Sequence, residues 1–310
     1  MKTVSVLIPT YNEEDNVTPL YKAVKDEFRK ELPGYRYEII FIDNCSTDKT
    51  RERLEEICSG DKDVKAIFNA RNFGQSRSPY YGLMQTTGDC AVRLCADFQE
   101  PVEMIHKFVT EWEKGSRIVV GIKTSSKEKK LMYTLRSIYY KLVKKFSDVE
   151  QIEHFTGFGL YDRAFIDVLR KLDDPAPFLR GIVAELGWKR KDIEYAQQLR
   201  KSGKSKNNLY TLYDLAMLSI TSYTKIGLRL AVFAGAATGL FSMAIGIAYL
   251  ILKLMYWNKF PAGTAPILIG MMFLGAVQLF FIGIIGEYLL TMNTRLMKRP
   301  LVIEEKRINF

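Results

Sequence analysis

Three short stretches of the chain gather side chains that could do chemistry on a charged small molecule. They read Pro9-Thr10-Tyr11-Asn12-Glu13-Glu14, Asp43-Asn44-Cys45-Ser46-Thr47-Asp48 and Ala96-Asp97-Phe98-Gln99-Glu100-Pro101. Each follows a run of apolar, largely β-branched residues and supplies carboxylates or amides. Acidic oxygens brought to one place can hold a hard divalent cation such as Mg2+ or Mn2+. That cation can bridge a nucleoside diphosphate and neutralise it as it departs. Asn, Asp, Ser and Thr also cap ordinary turns, so one such loop alone carries little weight. Three of them after three strands carry more.

What must position these residues is an alternation of strands and helices. The runs 4–9 and 37–43 are strand-like, and a helical pattern over 17–32 separates them. The theme continues with strands at 64–68, 90–94 and 118–121 and helices near 76–86 and 102–114. Such alternation predicts an α/β domain built on a mostly parallel, doubly wound sheet. Ligands of these sheets sit beyond the carboxyl ends of the strands, where the three loops fall.

The last third of the chain is different. Residues 231–252 and 267–286 carry no formal charge. As helices, the two stretches would rise about 30 Å or more, enough to cross the roughly 30 Å hydrocarbon layer of a bilayer. The expected organisation is a cytoplasmic domain over 1–208, a juxtamembrane segment over 209–230, a transmembrane hairpin over 231–290 and a tail over 291–310. The spans are placed at about 231–252 and 267–288. Basic residues crowd both flanks (Arg200, Lys201, Lys204, Lys206, Lys225 and Arg229 before; Arg295, Lys298, Arg299, Lys306 and Arg307 after), while Lys253 and Lys259 lie between. That asymmetry predicts that both termini of a multi-pass protein lie in the cytoplasm. The apolar stretch at the N-terminus is too short for a secretory signal.

The formal net charge of +10 suits an anionic leaflet and phosphate-bearing substrates; aromatic and basic residues are too scattered for a nucleic-acid platform. Cys45, Cys58, Cys90 and Cys95 show no metal-binding or disulfide spacing and read as reduced thiols. His106 and His154 are the only histidines, and neither is expected to act as a base.

Together with Arg71-Asn72-Phe73-Gly74, the three loops resemble glycosyltransferase family 2. With the paired apolar segments, the chain is similar to the branch that glycosylates polyprenyl phosphates, the dolichyl-phosphate mannose synthases and bactoprenol glucosyltransferases. The resemblance implies a GT-A fold, a Rossmann-like and mostly parallel sheet, and transfer with inversion from a nucleotide-sugar donor, by analogy UDP-glucose, to undecaprenyl phosphate. It assigns the nucleotide to Pro9, Tyr11, Glu13, Asp43, Asn44, Ser46 and Arg71, with Asp43 and Glu13 on the base and ribose side. It gives Mg2+ or Mn2+ to Asp97 and Gln99, and catalysis to Asp97, Arg180 and Arg200. The resemblance implies a bacterial inner membrane as the location and membrane lipids as partners, and a homo-oligomer is expected. Three positions depart from the family pattern: Cys95, Asn44 and Gly157 each stand where an Asp is usual. A thiol is a poor ligand for a hard cation, so Cys95 is given no metal role.

On the acceptor side, Leu131, Leu135, Ile138, Leu142 and Phe146 recur at helical spacing among Lys and Arg, as in an amphipathic helix over 129–146 lying at a membrane surface. Arg180, Arg200, Lys204, Ser205 and Lys206 are the expected contacts of the lipid phosphate. Asp162 and Arg163 belong to a further segment of family likeness. A processive polysaccharide synthase would need more spans and a Gln-x-x-Arg-Trp motif, whereas here Gln197-Gln198-Leu199-Arg200 is followed by Lys201. The remaining alternative is a membrane-bound nucleotide-sugar binder without catalysis.

Overall fold

The computed structural model describes residues 1–125, 149, 152–198, 209–256 and 264–310. The amphipathic segment over 129–146 and the expected phosphate contacts Arg200, Lys204, Ser205 and Lys206 lie outside the described residues.

Four strands form the centre of one sheet: β1 (Thr3–Thr10), β2 (Arg36–Asp43), β3 (Val64–Asn69) and β4 (Cys90–Arg93). All pair in parallel, with β1 between β4 and β2. Helices α1 (Val17–Glu31), α2 (Thr50–Gly60) and α3 (Gly74–Gln85) make the crossovers. Then follow α4 (Met104–Glu113), β5 (Ile118–Ser125), β6 (Phe155–Asp162), α5 (Arg163–Leu172), α6 (Leu179–Glu185) and β7 (Arg190–Ala196). The chain ends with α7 (Leu209–Tyr223), α8 (Ile226–Met255), α9 (Thr264–Leu296) and β8 (Glu304–Ile308). The order across the sheet is β7-β5-β6-β4-β1-β2-β3-β8, with β6 antiparallel to β4 and β5 and β8 antiparallel to β3. This is the α/β, mostly parallel architecture that the alternation predicts.

The apolar strands are explained by burial on both faces. Val4, Val6 and Ile8 of β1 and Ile39 and Phe41 of β2 pack with α1, α2 and α4 through Leu20, Leu54 and Phe108. Their alternate neighbours Leu7, Ile40 and Ile42 face Tyr80, Phe165 and Ile182 of α3, α5 and α6. A sheet covered on both sides needs near-continuous apolar strands, and these have them.

One carboxylate interrupts that rule at the amino-terminal end of the sheet. Glu38 is buried, and it accepts from the Lys65 ammonium (2.7 Å), the Thr87 hydroxyl (2.7 Å), the Thr87 amide (2.8 Å) and the Ser5 hydroxyl. Burial opposes its ionisation, but the bonds from Lys65, Ser5 and Thr87 outweigh it and hold its pKa below the ordinary value.

α8 and α9 are the two described helices long and apolar enough to cross a membrane, over Gly227–Met255 and Gly270–Leu296. A core helix of a soluble protein would be buried; these leave Phe233, Phe241, Met272 and Leu279 about two-thirds or more exposed. Polar contacts join their base to α7: Tyr213 donates to Glu287 (2.9 Å), Tyr288 to the Thr224 carbonyl (2.8 Å) and Arg295 to Ser222 (3.1 Å). The sequence reading leaves 291–310 as a tail, whereas the structure returns it to the sheet as β8.

Because the Glu38 pKa is lowered on folding, its stabilisation is present above the unfolded value of about 4.3 and lost as pH falls through the folded one. Glu38→Gln should cost about 2–3 kcal/mol in denaturant unfolding at neutral pH, with the difference from the parent shrinking as the solution is acidified through that window.

Candidate functional site

The loops after β1, β2 and β4 open at the carboxyl edge of the sheet, and each turns through a non-glycine residue in the left-handed region: Asn12 (φ 55°), Cys45 (φ 65°) and Phe98 (φ 59°). Such backbone is costly and persists where surrounding contacts fix it. The first two loops fix one another. The Asn12 amide donates to the Ser46 hydroxyl (2.8 Å), the Thr47 amide to the Asn12 side chain (2.7 Å), the Glu13 amide to the Thr50 hydroxyl (2.8 Å) and the Lys49 amide to the Glu14 carboxylate (3.0 Å). Glu13 itself takes the Asn16 side-chain amide at 2.6 Å. Pro9 ends up opposite Ile42 in the β1–β2 register, and Tyr11 is part-exposed at the mouth of the loop.

Asp43, the last residue of β2, has no exposed surface. It accepts from the Ser46 amide (2.9 Å), the Ser46 hydroxyl and the Arg51 Nε (3.3 Å). Burial pushes its carboxyl pKa up, against the pull of Ser46 and Arg51. Its neighbour Asn44 has a different task. Its Nδ2 donates to Asn72 (2.8 Å) and the Gly74 carbonyl (3.3 Å), while its Oδ1 accepts from the Phe73 amide (2.9 Å) and Asn69 (3.2 Å). An Asp could accept but not donate there, which accounts for the amide. The loop so held carries Arg71, exposed and stacked 4.1 Å from the Phe73 ring centroid.

After β4, Asp97 is buried and accepts from the Gln99 amide (3.1 Å), while the Gln99 carbonyl takes the Gln198 amide beyond β7 (3.1 Å). Glu100 lies beneath, accepting from the Cys95 amide (2.7 Å) and the Thr156 hydroxyl (3.1 Å). Burial raises the Glu100 pKa, with the Arg93 charge opposing. The Cys95 thiol is pushed well above the ordinary range by burial and then by Glu100, so it stays a neutral thiol with nothing to offer a hard cation. Arg93 donates to the Thr156 carbonyl (3.1 Å). A Cβ on Gly157, which has φ 96°, would collide with that guanidinium, so the position where the family pattern has an acid here carries no side chain and faces a cation instead.

Among the described residues no three His, Cys, Asp or Glu side chains converge on a metal position. Asp97 and Gln99 contribute two oxygen-bearing side chains on one turn.

Arg180 sits in the first turn of α6, stacked 4.9 Å from the Phe178 ring centroid. Gly181 beside it presses against Tyr223, where any Cβ would overlap the ring. The helix carrying Arg180 is thereby seated on the element leading into the apolar pair. Asp162 and Arg163 lie elsewhere: Asp162 pairs with Cys90 at the start of β4, caps α5 through the Ala164 amide (2.9 Å) and accepts from Trp112 (2.7 Å), and Arg163 donates to the Gly88 carbonyl (2.8 Å). Both serve the end of the sheet away from the loops. Arg51, Arg93 and Thr156 were missed from sequence; the signal available for Arg51 was its place in the first turn of the helix that follows the Asp43 loop.

A sheet of this order with a buried acid at the end of β2 and an acidic turn after β4 defines an α/β domain of the GT-A type. The glycosyl transferase family 2 model matches residues 5–187. A bactoprenol glucosyl transferase of Shigella phage SfX is 30% identical over 98% of this chain and 99% of its own length. A prophage bactoprenol glucosyl transferase homolog of Escherichia coli (strain K12) is also 30% identical, over 96% of each chain. Among solved structures, mannosyl-3-phosphoglycerate synthase from Rubrobacter xylanophilus shares the fold at TM-score 0.50 and 16% identity, over 71% of this chain and 72% of that one. The chain belongs to glycosyl transferase family 2 and is a glycosyltransferase.

Gly157→Ala should force Arg93 from its place and strain the backbone, lowering stability by about 1–3 kcal/mol. In a double-mutant cycle with Arg93→Ala, the two losses should fall short of additive by at least about 0.5 kcal/mol; strict additivity would separate the glycine from the guanidinium.

Proposed function

We propose that the chain transfers glucose from UDP-glucose to a polyprenyl phosphate at the cytoplasmic face of a bacterial inner membrane, with inversion at the anomeric carbon. The observation that carries this reading is that the helix bearing Arg180 packs on α7, the element leading into the apolar pair, while the loops of Asp43 and Asp97 gather at the carboxyl edge of the same sheet. Both features support a reading in which one chain handles a nucleotide-linked donor and an acceptor phosphate near a membrane. The names of the two relatives, matched over nearly their whole length, support glucose and bactoprenol as the sugar and the carrier.

The return of β8 to β3 supports a hairpin. Strands on both sides of the apolar pair share one sheet, so if the helices cross a bilayer they cross it an even number of times. The excess of Lys and Arg on that side favours the cytoplasm.

Asp43 and Glu13 take the base and ribose side of the nucleotide, with Pro9, Tyr11 and Ser46 shaping the pocket. Asn44 acts through the loop it holds, which aims Arg71 at the donor. A Mg2+ or Mn2+ ion fits Asp97 and Gln99, both hard-oxygen donors, with diphosphate oxygens completing its shell. When bound, it would supply positive charge to the departing nucleoside diphosphate. Arg180, with Arg200, Lys204, Ser205 and Lys206, holds the acceptor phosphate and screens the repulsion between two anionic substrates. A phosphate monoester with a second pKa of about 6 is largely dianionic near neutral pH, so its oxygen attacks without a protein base. His106 is engaged with another acid, pairing with Glu27 at 2.6 Å.

The test is transfer of radiolabelled sugar from uridine and guanosine diphosphate donors to undecaprenyl phosphate in detergent, with Mg2+, Mn2+ or chelator. Labelling from UDP-glucose that chelator abolishes, and that Asp97→Asn lowers by about a hundredfold or more, is the expected result. Absence of labelling from every donor by folded protein that still binds UDP would sink the proposed transfer to a polyprenyl phosphate.

A further inference from the structure

The donor site does not end with the loops of the central strands. Arg51, which supports Asp43 from α2, lies between two carboxylates. Its Nε faces Asp43 at 3.3 Å, and its Nη2 donates to Glu305 of β8 at 2.6 Å and to the Asn69 carbonyl at 3.3 Å. The Phe68 ring lies against the guanidinium, with its centroid 5.2 Å away. A planar guanidinium pinned at both edges has a fixed orientation, so Glu305 helps set the direction from which Arg51 approaches Asp43.

We propose that Glu305 is a positioning residue for the nucleotide: acting through Arg51, it aligns the Asp43 carboxylate, so the strand that follows the apolar helices completes the donor site. This rests on the reading that Asp43 meets the nucleotide.

Holding β8 in place does not require Glu305. Its side chain is 55% exposed, and an ion pair so open to solvent contributes about 0–1 kcal/mol to folding. The strand is docked by other bonds. The Asn309 amide donates to the Cys58 and Val64 carbonyls, both at 2.7 Å, Arg307 to Gln85 (2.9 Å) and Tyr81 (3.0 Å), and the Ala70 amide to the Ile303 carbonyl (2.9 Å). Lys306, next along the strand, pairs with Glu55 at 2.8 Å on the outer surface and has no route to Asp43 in this set of contacts. What Glu305 adds is the second anchor of Arg51. Without it the Asn69 carbonyl and the Phe68 face remain, and neither carries a negative charge to oppose the pull of Asp43 on the guanidinium. The guanidinium can then rotate or collapse onto Asp43, and both movements take acceptor capacity from the ligand.

The experiment uses the full-length chain in detergent, with UDP binding measured by calorimetry and KM and kcat measured for UDP-glucose. Glu305→Gln should raise the Kd for UDP and the KM by about three- to tenfold, with kcat held within about twofold. Glu305→Asp should recover part of the loss. Lys306→Ala should match the parent, and the thermal midpoints of all three variants should stay together. Asp43→Asn is the reference arm. Weakened UDP binding in Asp43→Asn with parent-like binding in Glu305→Gln would overturn the relay and leave the donor reading standing. If neither variant changes binding, the role given to Asp43 fails, and a parent chain that does not bind UDP overturns both. Equal losses in Lys306→Ala and Glu305→Gln, with lowered midpoints, would reduce β8 to a structural strand and overturn the proposal.

Discussion

A carboxylate with no exposed surface at the end of a central strand is the constraint around which this site is built. Left alone, Asp43 would take up a proton, and burial does push its pKa upward. The chain answers with donors from one short turn, the Ser46 amide and hydroxyl, and with the guanidinium of Arg51. Bringing Ser46 back to Asp43 requires the turn that places Cys45 in the left-handed region. Holding that turn in turn requires the Asn12 loop, whose backbone and side chain bond to Ser46 and Thr47. Charge, backbone strain and loop order are therefore one arrangement, and a change at any of these residues is felt by the others.

The two ends of the sheet use buried acids differently. At the amino end Glu38 is saturated by Lys65, Ser5 and Thr87, and such a group does nothing but stabilise. At the carboxyl end the acids are placed less evenly. Glu100 spends its oxygens on the Cys95 amide and Thr156, under the turn that displays Asp97. The departures at Cys95 and Gly157 read together in that light. Two positions that carry acids in the family pattern hold a neutral thiol and no side chain, and Arg93 stands beside the second. The local charge at those two positions shifts from acidic toward basic, while Asp97 keeps its place in the turn through the Gln99 amide.

The central strands and their helices were legible because a sheet buried on both faces demands apolar runs that few other structures need. Val4 to Ile8 and Ile39 to Ile42 satisfy that demand on alternate faces. The site loops were legible because residues after parallel strands must gather at one edge. Other features left no such mark. β6 is laced with Gly157 and Gly159, and its strand character comes from pairing with β4 and β5 rather than from propensity. β8 reads Glu304-Glu305-Lys306-Arg307-Ile308, which resembles a solvated tail until β3 offers it an open edge. Asn44 looked like a weakened acid, and only the positions of Asn72 and Phe73 reveal why an amide belongs there.

The same edge pairing governs how the domain relates to its apolar helices. A hairpin attached at one point could pivot about its linker. Here the attachment is made on both sides of the pair: α6 is fitted to α7 where Gly181 meets Tyr223, Arg295 at the foot of α9 reaches Asp174 at 3.5 Å, and β8 is sewn to β3 beyond it. Pivoting would have to break contacts in the sheet itself. Arg180 and Asp43 are therefore held at fixed positions relative to the foot of the apolar pair. A site that draws on both residues therefore has its geometry set before a substrate arrives.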